Sequence, residues 1–121
     1  MNLRKGILLV LVSFILCVSA LYAQNNANLK SGVYRFSGIQ GSGMVIIQSS
    51  NISQSVKNVI IRATDGSVYA RGTARINGNR VSIDYGDKGY ETWTIVDNET
   101  FTDDQAGLTW RWVRNYRNDE L

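Results

Sequence analysis

Asp97, Glu99, Asp103 and Asp104 crowd the stretch "DNETFTDD", and Trp110 and Trp112 follow close behind. Two carboxyls flanking a cleft are what glycoside hydrolysis needs, and a run of oxygen ligands is what calcium needs. A calcium loop, however, alternates its ligands around a central Gly and closes on a Glu; here a segment carrying Phe101 interrupts the order. Pairing Ile95 with Phe101 makes Asp97, Asn98 and Glu99 a three-residue connection. Pairing Phe101 with Leu108 makes Asp103, Asp104, Gln105 and Ala106 a four-residue one, closed by Gly107. Asp and Asn suit such positions because their side chains bond nearby backbone and tolerate unusual φ. The acids therefore read as turn residues, and no residue is assigned to catalysis or to a metal.

Two other sets could bind. Tyr34 with Phe36, and Trp110 with Trp112, repeat at period two, so each pair shares one face of a strand. With Trp93 and Phe101 they converge on a barrel interior, and Tyr34, Phe36, Trp93, Trp110 and Trp112 are the candidate lining of a ligand cavity. Arg71, Arg75 and Arg80 fall on outward positions, joined by Arg62 and Arg111. Such a stripe is a candidate site for phosphate, sulfate or acidic polysaccharide, although Asp84 partly neutralises it.

Composition excludes more than it assigns. Arg4 and Lys5, an apolar run from Gly6 to Val18 and the small residue Ser19 read as a secretory signal peptide. Cleavage is expected after Ala23, with Ala20 as the alternative. The residues ahead of Cys17 are Phe14, Ile15 and Leu16, so this cysteine is not a lipid anchor. Removing 23 of the 121 residues leaves 98, too few for more than one domain. It also removes two of the 13 Lys and Arg against 10 Asp and Glu, so the net charge falls from +3 to +1. Nucleic acid is then not a charge-driven partner. The remaining chain has no Cys, His or Pro, which excludes disulfides, thiolate and imidazole chemistry and the usual zinc sites. No cofactor is implied. "NIS" at Asn51 and "NET" at Asn98 match the glycosylation acceptor pattern, and Asn118 to Leu121 spell a variant of an endoplasmic-reticulum retention signal. The absence of Cys and Pro points instead to a bacterial envelope, where neither is read.

The elements that must position these residues are strands. Residues 24–31 form a polar, flexible lead-in and 117–121 a polar tail. Between them, 32–116 carries strand patterns at 33–37, 43–48, 57–63, 67–76, 80–86, 91–96, 99–102 and 108–114, separated by Gly, Asn, Asp or Ser. About eight short strands in one antiparallel meander predict an all-β domain, a small closed or partly open barrel. The clearest hairpin is "VYARGTARINGNRVSIDY": a type I′ turn centred on Asn77–Gly78 would pair Ala74 with Val81, Gly72 with Ile83, Arg71 with Asp84 and Arg75 with Arg80. Gly72 marks a bend, or room for a large neighbouring ring. "MVII" at 44–47 and "VII" at 59–61 are apolar on both faces. The outer face is then either covered, with 49–56 as the candidate cover through Ile52 and Val56, or open to an envelope partner or to self-association through Ile46 and Ile60.

Gly32-Val33-Tyr34 opening the first strand, with Trp110, Trp112 and Arg114 on the last, resembles a shortened lipocalin-like or calycin-type barrel, Tyr34 standing at the family's tryptophan. The resemblance covers 32–114. It implies a closed end where an arginine, Arg114 or Arg111, packs over the first-strand aromatic. It also implies a secreted or periplasmic, non-catalytic module that binds a small apolar ligand or envelope component. The alternative is a filled barrel acting as an interaction or structural protein. An enzyme would need two or more polar side chains converging in one cleft.

Overall fold

In the computed structural model of the chain, residues 28–36 and 43–121 are described; the segment read as a signal peptide, its expected cleavage positions and Cys17 lie outside them. Eight antiparallel strands follow one another as β1 (Gly32–Phe36), β2 (Met44–Ser49), β3 (Val56–Arg62), β4 (Val68–Asn77), β5 (Arg80–Asp84), β6 (Tyr90–Asp97), β7 (Thr100–Asp103) and β8 (Thr109–Arg114). Each pairs with the next, and β8 pairs back onto β1 to close the barrel. Closure leaves no unpaired sheet edge. Each strand starts and stops within about two residues of its sequence pattern, because period-two alternation and turn residues both mark the boundaries.

Alternation also sorts the two faces. Tyr34, Val45, Ile47, Val59, Ala74, Val81, Ile83, Trp93, Ile95 and Phe101 point inward and form the main core. Trp93 stacks on Phe101 with ring centroids 4.1 Å apart, and Tyr34 tilts against Phe101 at 5.3 Å. One end of the barrel is stoppered by residues expected in the lead-in. Leu29 inserts into the core, Lys30 N–H donates to the Asn98 carbonyl (2.7 Å), and the Tyr34 hydroxyl donates to the Lys30 carbonyl (2.6 Å). Trp112 donates its Nε1–H to the Ser31 carbonyl (3.1 Å), with Lys30 Nζ 3.7 Å above its ring. Gly32 makes room for that indole: a Cβ there would lie 2.1 Å from Trp112 Nε1. Thus the cation over a ring at this end is Lys30 on Trp112, while Arg114 pairs elsewhere.

The hairpin β4–β5 differs from its expected register by two residues. Ala74 faces Ile83, Arg75 faces Ser82, Thr73 faces Asp84 and Asn77 faces Arg80. The turn is Gly78–Asn79, with Gly78 at φ +63° and no non-glycine residue at positive φ among the described residues. Gly at the first central position satisfies the turn alone, whereas Asn77–Gly78 would force Asn77 into the left-handed region. A two-residue shift preserves the faces, so the apolar pattern cannot detect it. It does part Arg71 from Asp84 and Arg75 from Arg80. The β7–β8 hairpin moves the same way: Phe101 faces Trp110, not Leu108.

The outer apolar face of β1–β3 is covered, though not through Ile52, which is 73 % exposed; Val56, the other residue of that expected cover, is buried at the start of β3. The chain after β8 folds back instead, and Tyr116 and Leu121 pack on Val33, Ile46 and Ile60. Ile46 and Ile60 are 0 % and 4 % exposed, which corrects the expectation that they offer a free surface to a partner. Glu120 fastens this tail. It accepts two hydrogen bonds from the Arg114 guanidinium (2.7 and 2.8 Å) and one from Arg117 N–H (2.9 Å), and its carbonyl accepts from Arg62 Nε and Nη2 (3.1 and 2.9 Å). Arg114 holds the Glu120 carboxyl down at about 2.

Candidate functional site

With one end stoppered, the other keeps a cavity of about 350 Å³. Its lining draws on the 85–89 and 104–108 connections, through Tyr85, Lys88 and Gln105, and on the strands beside them. Val45, Ile61, Ala70, Trp93 and Trp110 form its apolar wall, each facing inward from its own strand. Trp110 is steered by neighbouring rings, Phe36 edge-on at 4.9 Å and Phe101 stacked at 6.1 Å. Tyr69, Lys88, Tyr90 and Gln105 make the rim. Tyr90 is 81 % exposed, and Lys88 Nζ donates to the Tyr69 carbonyl (2.6 Å) while lying 4.1 Å over the Tyr69 ring.

Three polar side chains converge here. The Tyr85 hydroxyl donates to Glu91 Oε2 at 2.7 Å. Asp103 Oδ1 accepts the Gln105 and Ala106 backbone N–H groups, both at 2.9 Å, so it caps its turn as expected while also lining the cavity. Burial raises the Glu91 carboxyl above its ordinary range, and the Asp103 charge beside it adds to the effect; hydrogen bonds from Tyr85 and Trp93 work against it. Burial, then the hydrogen bond and charge of Glu91, push the Tyr85 hydroxyl well up. Gly72 sets the Tyr85 ring: a Cβ on Gly72 would lie 2.7 Å from Tyr85 Cδ1 and 2.7 Å from the Asp84 carbonyl oxygen. The large ring for which Gly72 leaves space is therefore a tyrosine.

Of the five candidate lining residues, Trp93 and Trp110 meet at the cavity. Tyr34 is buried in the packed layer beneath, Phe36 buttresses Trp110 from outside the lining, and Trp112 belongs to the stoppered end. The arginine stripe is divided. Arg71 donates to the Leu121 carbonyl (3.3 Å), and Arg80 pairs with Asp104 (3.0 Å) and Thr94 Oγ1 (3.1 Å). Arg75 has no hydrogen-bond or ion-pair partner among the described residues and lines a shallow outer groove with Thr73, Ser82 and Asp84. Asp104 also accepts from the Thr92 and Thr94 hydroxyls (2.7 and 2.8 Å), so it fastens the outer face of β6.

The sequence reading singles out neither Tyr85 nor Glu91 and takes Asp103 as a turn residue, yet a signal exists. Glu91 shares its strand face with Trp93 and Ile95, and Asp103 shares its own with Phe101. An ionisable residue in phase with core residues is the mark of a polar group facing inward. Among the described residues no group of three His, Cys, Asp or Glu side chains is placed to hold a metal ion. Compared with known proteins, the chain matches no family model, no curated protein and no solved structure.

Proposed function

We propose that the protein is a lipocalin-like binding module that takes a small, largely apolar molecule into the cavity at its open end, without catalysing a reaction. The observation that carries this reading is the asymmetry of the barrel: one end is stoppered by Leu29 and Trp112, while the other holds about 350 Å³ walled by Trp93, Trp110 and aliphatic side chains. Pockets of about 300–1,000 Å³ with apolar walls and a few polar groups are the usual form of small-molecule sites. The reading includes secretion or periplasmic export after removal of residues 1–23, which rests on the leader pattern in the sequence. The arginines on the outer strand faces and the apolar interior suit a barrel surrounded by water, the inverse of a lipid-facing one.

Trp93 and Trp110 provide the readout. Titration with a neutral apolar fluorophore such as N-phenyl-1-naphthylamine gives saturable quenching at one site, and Ala70→Leu, which fills the cavity, abolishes it while leaving the unfolding free energy within about 3 kcal/mol of the parent. No saturable change with any apolar probe overturns the reading.

A second reading is favoured by one observation, the convergence of Glu91, Asp103 and Tyr85 in one cleft, which is what acid–base catalysis requires. It predicts turnover of a bound glycoside or ester, lost in Glu91→Gln. Binding without turnover supports the non-catalytic module.

A further inference from the structure

We infer that the cavity selects molecules in which a protonated amine is joined to an apolar body of about ring size, the ammonium seating between Glu91 and Asp103. The inference rests on the reading of this cavity as a ligand site and narrows it to a ligand class. It follows first from what the polar groups can do. Glu91 accepts the Tyr85 hydroxyl on Oε2 and a hydrogen bond from the Trp93 side chain, it shares a further hydrogen bond with Asp103, and Asp103 uses Oδ1 for two backbone N–H groups. A carboxylate has about four lone-pair positions across two oxygens, so both retain acceptor capacity, and an ammonium brings three donors.

It follows second from the charge balance. Two carboxyl groups line the cavity, and the one cation among its lining residues, Lys88, stands at the rim with its Nζ bound to the Tyr69 carbonyl and ring. Arg80, the other cation of this neighbourhood, is held by Asp104 on the outer face. Among the described residues the acidic pair therefore faces the cavity without a cation of its own, and a ligand cation fills that role. A carboxylate ligand would meet two like charges, and a neutral alcohol offers a single donor.

It follows third from the walls. Trp93, Trp110 and Tyr85 present aromatic rings to the same volume, and ring faces attract ammonium groups electrostatically, tryptophan most strongly. A volume near the lower end of the small-molecule range leaves room for an apolar body and not for a long chain.

The other titratable groups lining the cavity are Tyr85, just after β5, Lys88 from the turn that follows, Tyr69 from β4 and Tyr90 from β6. Burial, joined by Asp103, raises the Glu91 carboxyl above its ordinary range. An ammonium favours the ionised form, so binding releases a proton, and amine affinity rises with pH through the range in which Glu91 titrates.

The test holds the apolar body fixed and changes the head: 2-(1-naphthyl)ethylamine, 2-(1-naphthyl)ethanol and 1-naphthylacetate, titrated calorimetrically against the full chain. The expected order is amine tightest, by about tenfold over the alcohol, with the carboxylate weakest. Glu91→Gln and Asp103→Asn each reduce the ratio of amine to alcohol affinity. Lowering the pH from neutral to the acid range weakens the amine alone. Equal binding of amine and alcohol, or tightest binding of the carboxylate, overturns the inference and leaves the cavity reading standing. Failure of all three heads overturns both. The head-group order of the unaltered protein decides the matter even where a variant fails to fold.

Discussion

Gly72 controls the polar end of the cavity without lining it. Its missing Cβ leaves space for the Tyr85 ring, and the ring's position brings the hydroxyl to Glu91. Because one obstacle to a Cβ is the Asp84 carbonyl oxygen at 2.7 Å, side-chain rotation alone cannot relieve the clash. Gly72→Ala is expected to cost about 1–3 kcal/mol and to displace Tyr85. The checks are a lower urea midpoint at unchanged slope and an altered tyrosine signal in near-ultraviolet circular dichroism. A neutral result would mean that Tyr85 does not pack on Gly72. At this scale the sequence was partly legible: strand phase placed Trp93 and Trp110 inside and marked Gly72 as room for a ring. The acidic pair was missed because Asp103 has a sufficient explanation as a turn cap and Glu91 stands near a strand start, where a charge ordinarily reaches water. Trp112 counts among the candidate cavity residues in sequence because its place at the stoppered end depends on Leu29 and Ser31, which precede every strand pattern.

Among the elements, the tail after β8 makes the outer side of β1–β3 compatible with water. Tyr116 and Leu121 cover Val33, Ile46 and Ile60, and the Arg114–Glu120 pair holds the cover in place. A chain lacking residues 115–121 exposes this continuous apolar face, so it is expected to associate, with a light-scattering mass above that of the full chain under the same conditions. An unchanged mass would mean that the face is not adhesive by itself. The eight strands and their order were readable, because alternation and turn chemistry agree along the whole meander. The tail was not: it is polar apart from Tyr116 and Leu121, and no period connects it to the strands it covers. The β4–β5 and β7–β8 registers escaped for a different reason. Registers two residues apart place the same side chains inside, so only backbone φ at Gly78 and the true closing pair distinguish them.

The whole molecule carries two carboxyls whose contributions to stability run in opposite directions with pH. The Glu120 carboxyl is lowered from an ordinary 4.5 to about 2 by Arg114. Its stabilisation is therefore fully present above about 4.5 and is lost as pH falls toward 2. The Glu91 carboxyl is raised by burial and by Asp103. Its contribution is fully present below the ordinary carboxylate range and is lost as pH rises through its folded-state value. Acid thus loosens the tail while relieving repulsion in the cavity, and the two variants should give crossing profiles. Glu120→Gln lowers the unfolding free energy at neutral pH by about 1 kcal/mol, discounted because Arg114 is partly exposed, and its deficit closes as pH approaches 2. Glu91→Gln raises Tm at neutral pH, and its advantage disappears in acid. Calorimetric melting at pH 7, 4 and 2 checks both. Parallel profiles would mean that one of these carboxyls is not held as described. A neutral-pH gain from Glu91→Gln, combined with loss of amine binding, would show that the cavity keeps a carboxylate at a cost to the fold, a signature of binding sites more than of structural cores.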